Sequence, residues 1–174
     1  MRQLRQLKVP SRNARAQAES RGKWNEARSA DRAHFFTVGY AGRTAEELIE
    51  VMTRAGVRSV VDIRFNPVSM YRPELSKANF RRQVLRAGLL YFHNPMLGVP
   101  RDIRAKAIAA GNREAIWQWY DKHVVDRFVR NLHEFFNALE HPVALMCVEA
   151  DPTECHRHRL FQALEENGLQ GFDL

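Results

Sequence analysis

The stretch "LMCVEADPTECHRHRL", residues 145–160, holds both cysteines of the chain and two of its seven histidines. Three kinds of chemistry fit these residue types. A cysteine beside an acid–base group can act as a nucleophile. Cysteine and histidine together can hold a borderline-soft metal ion. An arginine near a helix N-terminus, beside backbone N–H groups that lack partners, suits a phosphate or carboxylate. Spacing limits these options. A phosphatase-type loop needs Cys-x5-Arg, whereas nine residues separate Cys147 from Arg157. No C-x2-C pair is present. The spacing therefore assigns no metal site, although Cys147, Cys155 and His156 have ligand chemistry.

The same stretch contains a helix start, with Asp151 as N-cap, Pro152 at the first position and Glu154 at the third. That helix runs to Asn167, and Gly168 stops it. Its apolar face is Leu160, Phe161 and Leu164. Stepping back by three and four puts His156 and Arg157 on the core side and turns His158 and Arg159 to water. Cys155 then points away from the core, where an alkylating reagent would reach it before the buried Cys147. Arg157 has two readings. As an anion clamp it would be dispensable for stability. As a structural tie it would pair with Asp62 or Glu149. Cys147 is either a site residue or a small buried hydrophobe.

The elements that position these residues alternate strand-length apolar runs with helical periods. Strands are expected at 35–39, 58–64, 89–93 and 142–148, with a fifth possible in "LQGFDL". Helices are expected after Thr44, whose capping box is closed by Glu47, and over 76–88. A long helix is expected over 112–139, with Ile116, Tyr120, Val124, Phe128, Leu132 and Phe135 on one face and a break near Asp121. "NPMLGVPRD" reads as loop. The fold expected is α/β: a mainly parallel sheet of four to five strands, helices on both faces, in a single domain over 34–174.

In an open α/β sheet, ligands bind beyond the carboxyl ends of the strands. The residues there are Gly39, Tyr40, Asp62, Arg64, His93, Cys147 and Glu149. Asp62 and Arg64 flank Ile63 at the tail of an apolar strand, where charges should be paired or functional. "RFNPVSMYRPELSKANF" follows and can carry Tyr71 over the sheet edge. Asp62, Glu149, Cys147 and His156 are the candidates for chemistry. Gly39, Tyr40, Arg64, Tyr71 and Arg157 are the candidates for holding substrate.

The net charge of +7 is not evenly spread. Residues 1–33 carry nine Lys/Arg against three Asp/Glu, while 34–174 carry 18 against 17. The first segment has too few apolar residues to offset its ordering entropy, so it reads as a basic tail, either a solvated extension or a nucleic-acid-binding arm. No run approaches the ~20 apolar residues of a membrane span, so no membrane partner is expected. Without a secretory signal, reduced thiols in a cytoplasm are the default.

"TVGYAGRTAEELIEVM", "VVDIRFNPVSMYRPELSKANF", "LLYFHNPMLG" and "VALMCVEADPTECHRHRL" resemble successive blocks of the bacterial and archaeal family designated domain of unknown function 488. The resemblance covers roughly 35–174. It implies an α/β fold with these blocks at the sheet edge, and site positions at Gly39, Tyr40, Asp62, Arg64, Tyr71, Cys147, Glu149, Cys155, His156 and Arg157. It names no reaction and no cofactor. The residues themselves favour an enzyme acting on a phosphate-bearing substrate, a nucleotide or nucleic acid. The alternatives are a non-catalytic nucleic-acid-binding module and a metal- or redox-sensing protein using Cys147 and Cys155.

Overall fold

A computed structural model describes residues 33–174. The segment read as a basic tail lies outside them apart from Ala33. Five strands form one sheet: β1 (Phe35–Gly39), β2 (Ser59–Asp62), β3 (Leu90–His93), β4 (Val143–Cys147) and β5 (Gly171–Asp173). Their order is β3-β2-β4-β1-β5, and every pair is parallel. β1, β2 and β4 are buried along their whole length. Continuous apolar runs such as "VALMC" are what a parallel strand covered on both faces requires.

The helices α1 (Ala45–Arg54) and α2 (Lys77–Arg86) cover one face. Leu48, Met52, Phe80 and Val84 pack there against Phe36, Val38, Val60, Tyr91, Ala144 and Met146. The α1 capping box is complete: Thr44 N–H donates to Glu47 Oε2 at 2.7 Å, and Glu47 N–H donates to Thr44 Oγ1 at 3.1 Å. The alternate residues Phe35, Leu145 and Cys147 face the other side. There α7 (His156–Glu166) buries Leu160, Ala163 and Leu164, and Phe161 packs edge-on against Phe35.

Between β3 and β4 lie α3 (Arg101–Ala109), α4 (Glu114–Tyr120), a π-turn (Asp121–Val125), α5 (Asp126–Arg130) and α6 (Leu132–Asn137). The single long helix expected from 112 to 139 is thus divided, and the expected break at Asp121 is the π-turn. Ile116, Tyr120, Val124 and Phe128 are buried at intervals of four. An α-helix turns every 3.6 residues, so a strict four-residue stripe drifts off its face. The wider i→i+5 turn takes up the difference. After Asn131 the buried position moves from Phe135 to Phe136. α3 replaces part of what reads as loop.

Helices after β1 and β2 cover one face, and the helix after β4 covers the other. β4 itself is inserted between β2 and β1. Neighbouring strands whose connections leave in opposite directions open a crevice at their carboxyl ends. The ends of β1, β2 and β4 meet here. No helix among the described residues is long and apolar enough to cross a membrane.

Candidate functional site

Cys147 is the last residue of β4, and α7 brings the other sulfur back to it. The helix begins later than its sequence signals imply. Asp151 accepts from Thr153 N–H at 2.8 Å, as an N-cap should, but Pro152–Glu154 is one turn of 3-10 helix. Cys155 is extended (φ −124°, ψ 143°), and the α-helix starts at His156. This offset breaks the phase argument that turned Cys155 outward. Cys147, Cys155 and His156 are exposed by only 1%, 2% and 3%. Cys155 is therefore as buried as Cys147, which corrects its expected outward placement. His156 and Arg157 are buried, whereas His158 and Arg159 are only partly so, and Arg159 pairs with Asp121.

The three buried side chains form one cluster. Cys147 Sγ lies 3.8 Å from His156 Nδ1 and 3.7 Å from Nε2. Cys155 Sγ lies 4.0 Å from His156 Nδ1. One ligand-type atom from each residue falls within 4.8 Å of both others. Cys147 also donates to Glu149 Oε2 at 3.6 Å. The Tyr120 ring packs 5.1 Å from the imidazole, and its hydroxyl donates to Leu97 O at 2.6 Å. Burial pushes the Cys147 thiol well up, and the neighbouring Cys155 and Glu149 charges push the same way. Burial also opposes a Cys155 thiolate, but hydrogen bonds with Cys147 and His156 and the imidazole charge outweigh it, bringing that thiol to about 3. Burial and the Cys155 charge raise the Glu149 carboxyl.

Two cavities adjoin this cluster and share Val99, Arg104 and His156. The larger, about 440 Å³, is mostly apolar, with Ile108, Ile116 and Trp117 in its wall, and Arg113, Glu149 and Glu154 also line it. The smaller, about 270 Å³, is lined by Tyr40, Arg64, Arg101, Arg104, Cys147 and His156 among others. Arg101 and Arg104 open α3 and are exposed, and their side chains have no hydrogen-bonded or ion-paired partner among the described residues. Sequence reasoning missed both. A signal was present: Pro100 just before the helix, Asp102 in its first turn, and Gly111 at φ +60° after it.

The other expected site residues divide by their surroundings. Asp62 is fully buried and lines neither cavity. Its Oδ1 accepts from Arg64 Nε at 2.8 Å, and its Oδ2 from Arg64 Nη2 at 2.6 Å and the Tyr91 hydroxyl at 2.6 Å. Burial works against the Arg64 charge, but Asp62 more than offsets this and raises the guanidinium pKa. Arg64 still shows one side to the smaller cavity and lies 5.2 Å from the Tyr40 ring centroid. Tyr71 is 99% exposed and lines neither cavity.

Arg157 is fully buried and its contacts are those of a tie; Glu149 is the expected partner, though through its carbonyl, and Asp173 stands where Asp62 was expected. It donates through Nη1 to Glu149 O, through Nη2 to Ala150 O at 2.9 Å, and through Nε to Asp173 Oδ1 at 3.1 Å. Asp173 also accepts from the Thr37 hydroxyl. Arg157 thus joins the loop after β4 to β1 and β5. Gly39 leaves room for the same loop: a Cβ there would lie 1.7 Å from Glu149 O.

The family model described as "Domain of unknown function DUF488" matches residues 44–164. The chain belongs to that family. The matched region of this DUF488 protein holds Asp62, Arg64, Arg101, Arg104, the Cys147–Cys155–His156 cluster and Glu149. Gly39, Tyr40 and Asp173 lie outside it. No curated protein and no solved structure matches the chain.

Proposed function

We propose that this DUF488 protein is an enzyme acting on a small phosphate-bearing substrate of nucleotide type. The observation that carries this reading is the pair of arginines without side-chain partners, Arg101 and Arg104, in the wall of a cavity that Cys147 and His156 also line. Arginines without carboxylate partners at a concave site are available for charge-assisted hydrogen bonds to phosphate oxygens. Arg64, whose charge Asp62 balances, lines the same cavity in a fixed position. The apolar cavity beside it, with Trp117 in its wall, suits the flat apolar face of a base. A substrate spanning both would carry its reacting group past His156, where the cavities meet, with Glu149 as acid or base and Cys147 on the wall.

The test is a thermal-shift and calorimetric titration of the full chain with nucleoside monophosphates and with a single-stranded oligonucleotide. The reading expects nucleotides to raise the melting temperature. It also expects Arg101→Ala/Arg104→Ala to weaken binding about 10- to 150-fold per lost contact, from roughly 1.5–3 kcal/mol for a hydrogen bond to a charged group. Apo stability should stay within about 0.5 kcal/mol, since both side chains are exposed. Binding of the oligonucleotide alone would favour a nucleic-acid-binding module instead.

A further inference from the structure

We propose that Cys147, Cys155 and His156 bind a zinc ion whose fourth coordination position opens toward Glu149 and the two cavities. The inference rests on the cluster and stands whether or not a nucleotide is the substrate. Tetrahedral zinc, with Zn–S near 2.3 Å and Zn–N near 2.0–2.1 Å, places sulfur and nitrogen ligands about 3.6 Å apart and two sulfurs about 3.8 Å apart. The sulfur-to-nitrogen distances are 3.8 Å for Cys147 and 4.0 Å for Cys155, both to the same Nδ1. Contraction by a few tenths of an ångström would bring each sulfur to its ligand distance from Nδ1, and the two sulfurs, within 4.8 Å of each other, would close by up to about 1 Å. All three are almost wholly buried and come from only two places, the end of β4 and the start of α7, where Cys155 is the residue before the helix. Arg157 locks those two places together by holding the carbonyls of Glu149 and Ala150. Packing against Tyr120 fixes the imidazole plane.

Ligand chemistry selects the ion. Two thiolates and an imidazole suit zinc, whereas magnesium and calcium take oxygen donors. A set of three protein ligands is the pattern of zinc sites that keep one position for water or substrate. Glu149 falls outside the mutually close set but touches Cys147, so it stands beside that open position. His156 and Cys147 both line the arginine-bearing cavity, so the open position lies where a phosphate-bearing ligand would reach it.

The test uses the full chain, stripped with a chelator under reducing conditions and then titrated with zinc and, separately, cobalt(II). The expected result is one zinc per chain. The cobalt form should show thiolate-to-metal charge transfer and the visible bands of a tetrahedral centre. Cys155→Ser and His156→Ala should lower zinc affinity by more than the roughly 10–100-fold that loss of a supporting contact costs. Glu149→Gln should keep full stoichiometry. Folded wild-type protein that takes up no zinc, or binds it without the cobalt–thiolate band, overturns the proposal without any variant. Loss of zinc in Glu149→Gln overturns the open fourth position, and uptake of iron alone overturns the choice of ion. Nucleotide binding that depends on Arg101 and Arg104 in metal-free protein would leave the proposed function standing while this inference fails.

Discussion

Replacing Arg157 by alanine separates a tie from a ligand clamp. The side chain is fully buried, so its truncation to alanine removes two packed methylenes, worth about 0.8 kcal/mol each. It also leaves the Glu149 carbonyl without its donor beside Gly39, where water has little access, at about 1–3 kcal/mol. Ala150 is exposed and its carbonyl can turn to water. Asp173 retains 28% side-chain exposure, so its share is that of a surface pair, about 0–1 kcal/mol. The sum is about 4 kcal/mol, within the roughly 3–5 kcal/mol seen when one partner of a buried pair is removed. For a domain of this size, at about 3–4 °C per kcal/mol, the melting temperature should fall by about 12–16 °C. Urea unfolding followed by circular dichroism, with the slope unchanged, would give the free energy directly. Arg157→Lys should recover only part of it, because a point charge cannot replace a planar fork spanning two carbonyls and a carboxylate. A loss below about 1 kcal/mol in the alanine variant would refute the tying role.

Three further outcomes follow from the same contacts. Asp62→Asn leaves Arg64 buried without its counter-charge and should cost about 3–5 kcal/mol in a urea melt. Gly39→Ala should cost at least about 1–3 kcal/mol, because the group in its way is the Glu149 main chain, not a movable side chain. Burial and the Asp62 charge hold the Tyr91 phenol well above its ordinary value, so the native state keeps a proton that the unfolded chain loses. Stability present below the unfolded tyrosine value, near 10, should therefore decline as pH rises above about 10, and Tyr91→Phe should make that decline shallower in alkaline melts.

What could be read from the sequence was local. The Thr44–Glu47 capping box, the Gly168 stop and the apolar runs of β1, β2 and β4 are each set by neighbours within a few residues, and the parallel α/β sheet follows from their alternation. The Asp62–Arg64 pair was also visible, because two charges cannot sit unpaired at the end of an apolar strand. The position of Cys155 was not visible. It depends on a single 3-10 turn between Asp151 and the true helix start, and that offset brings the second sulfur into the core. The partner of Arg157 was hidden too, because Asp173 belongs to a terminal strand whose place beside β1 no local pattern reveals. Arg101 and Arg104 were obscured by the Pro- and Gly-rich segment before them, although Asp102 and the alanines of "RAKAIAA" carried a helical signal.

The central claim is that one ligand spans a basic cavity and an apolar one that meet at His156. The most direct measurement is calorimetry of the full chain with a nucleoside monophosphate, the matching nucleoside and inorganic phosphate. The account predicts that the nucleotide binds more tightly than either fragment, and that Arg101→Ala/Arg104→Ala removes the advantage over the nucleoside. Nucleotide affinity no greater than that of phosphate alone, or unchanged in the double variant, would contradict it.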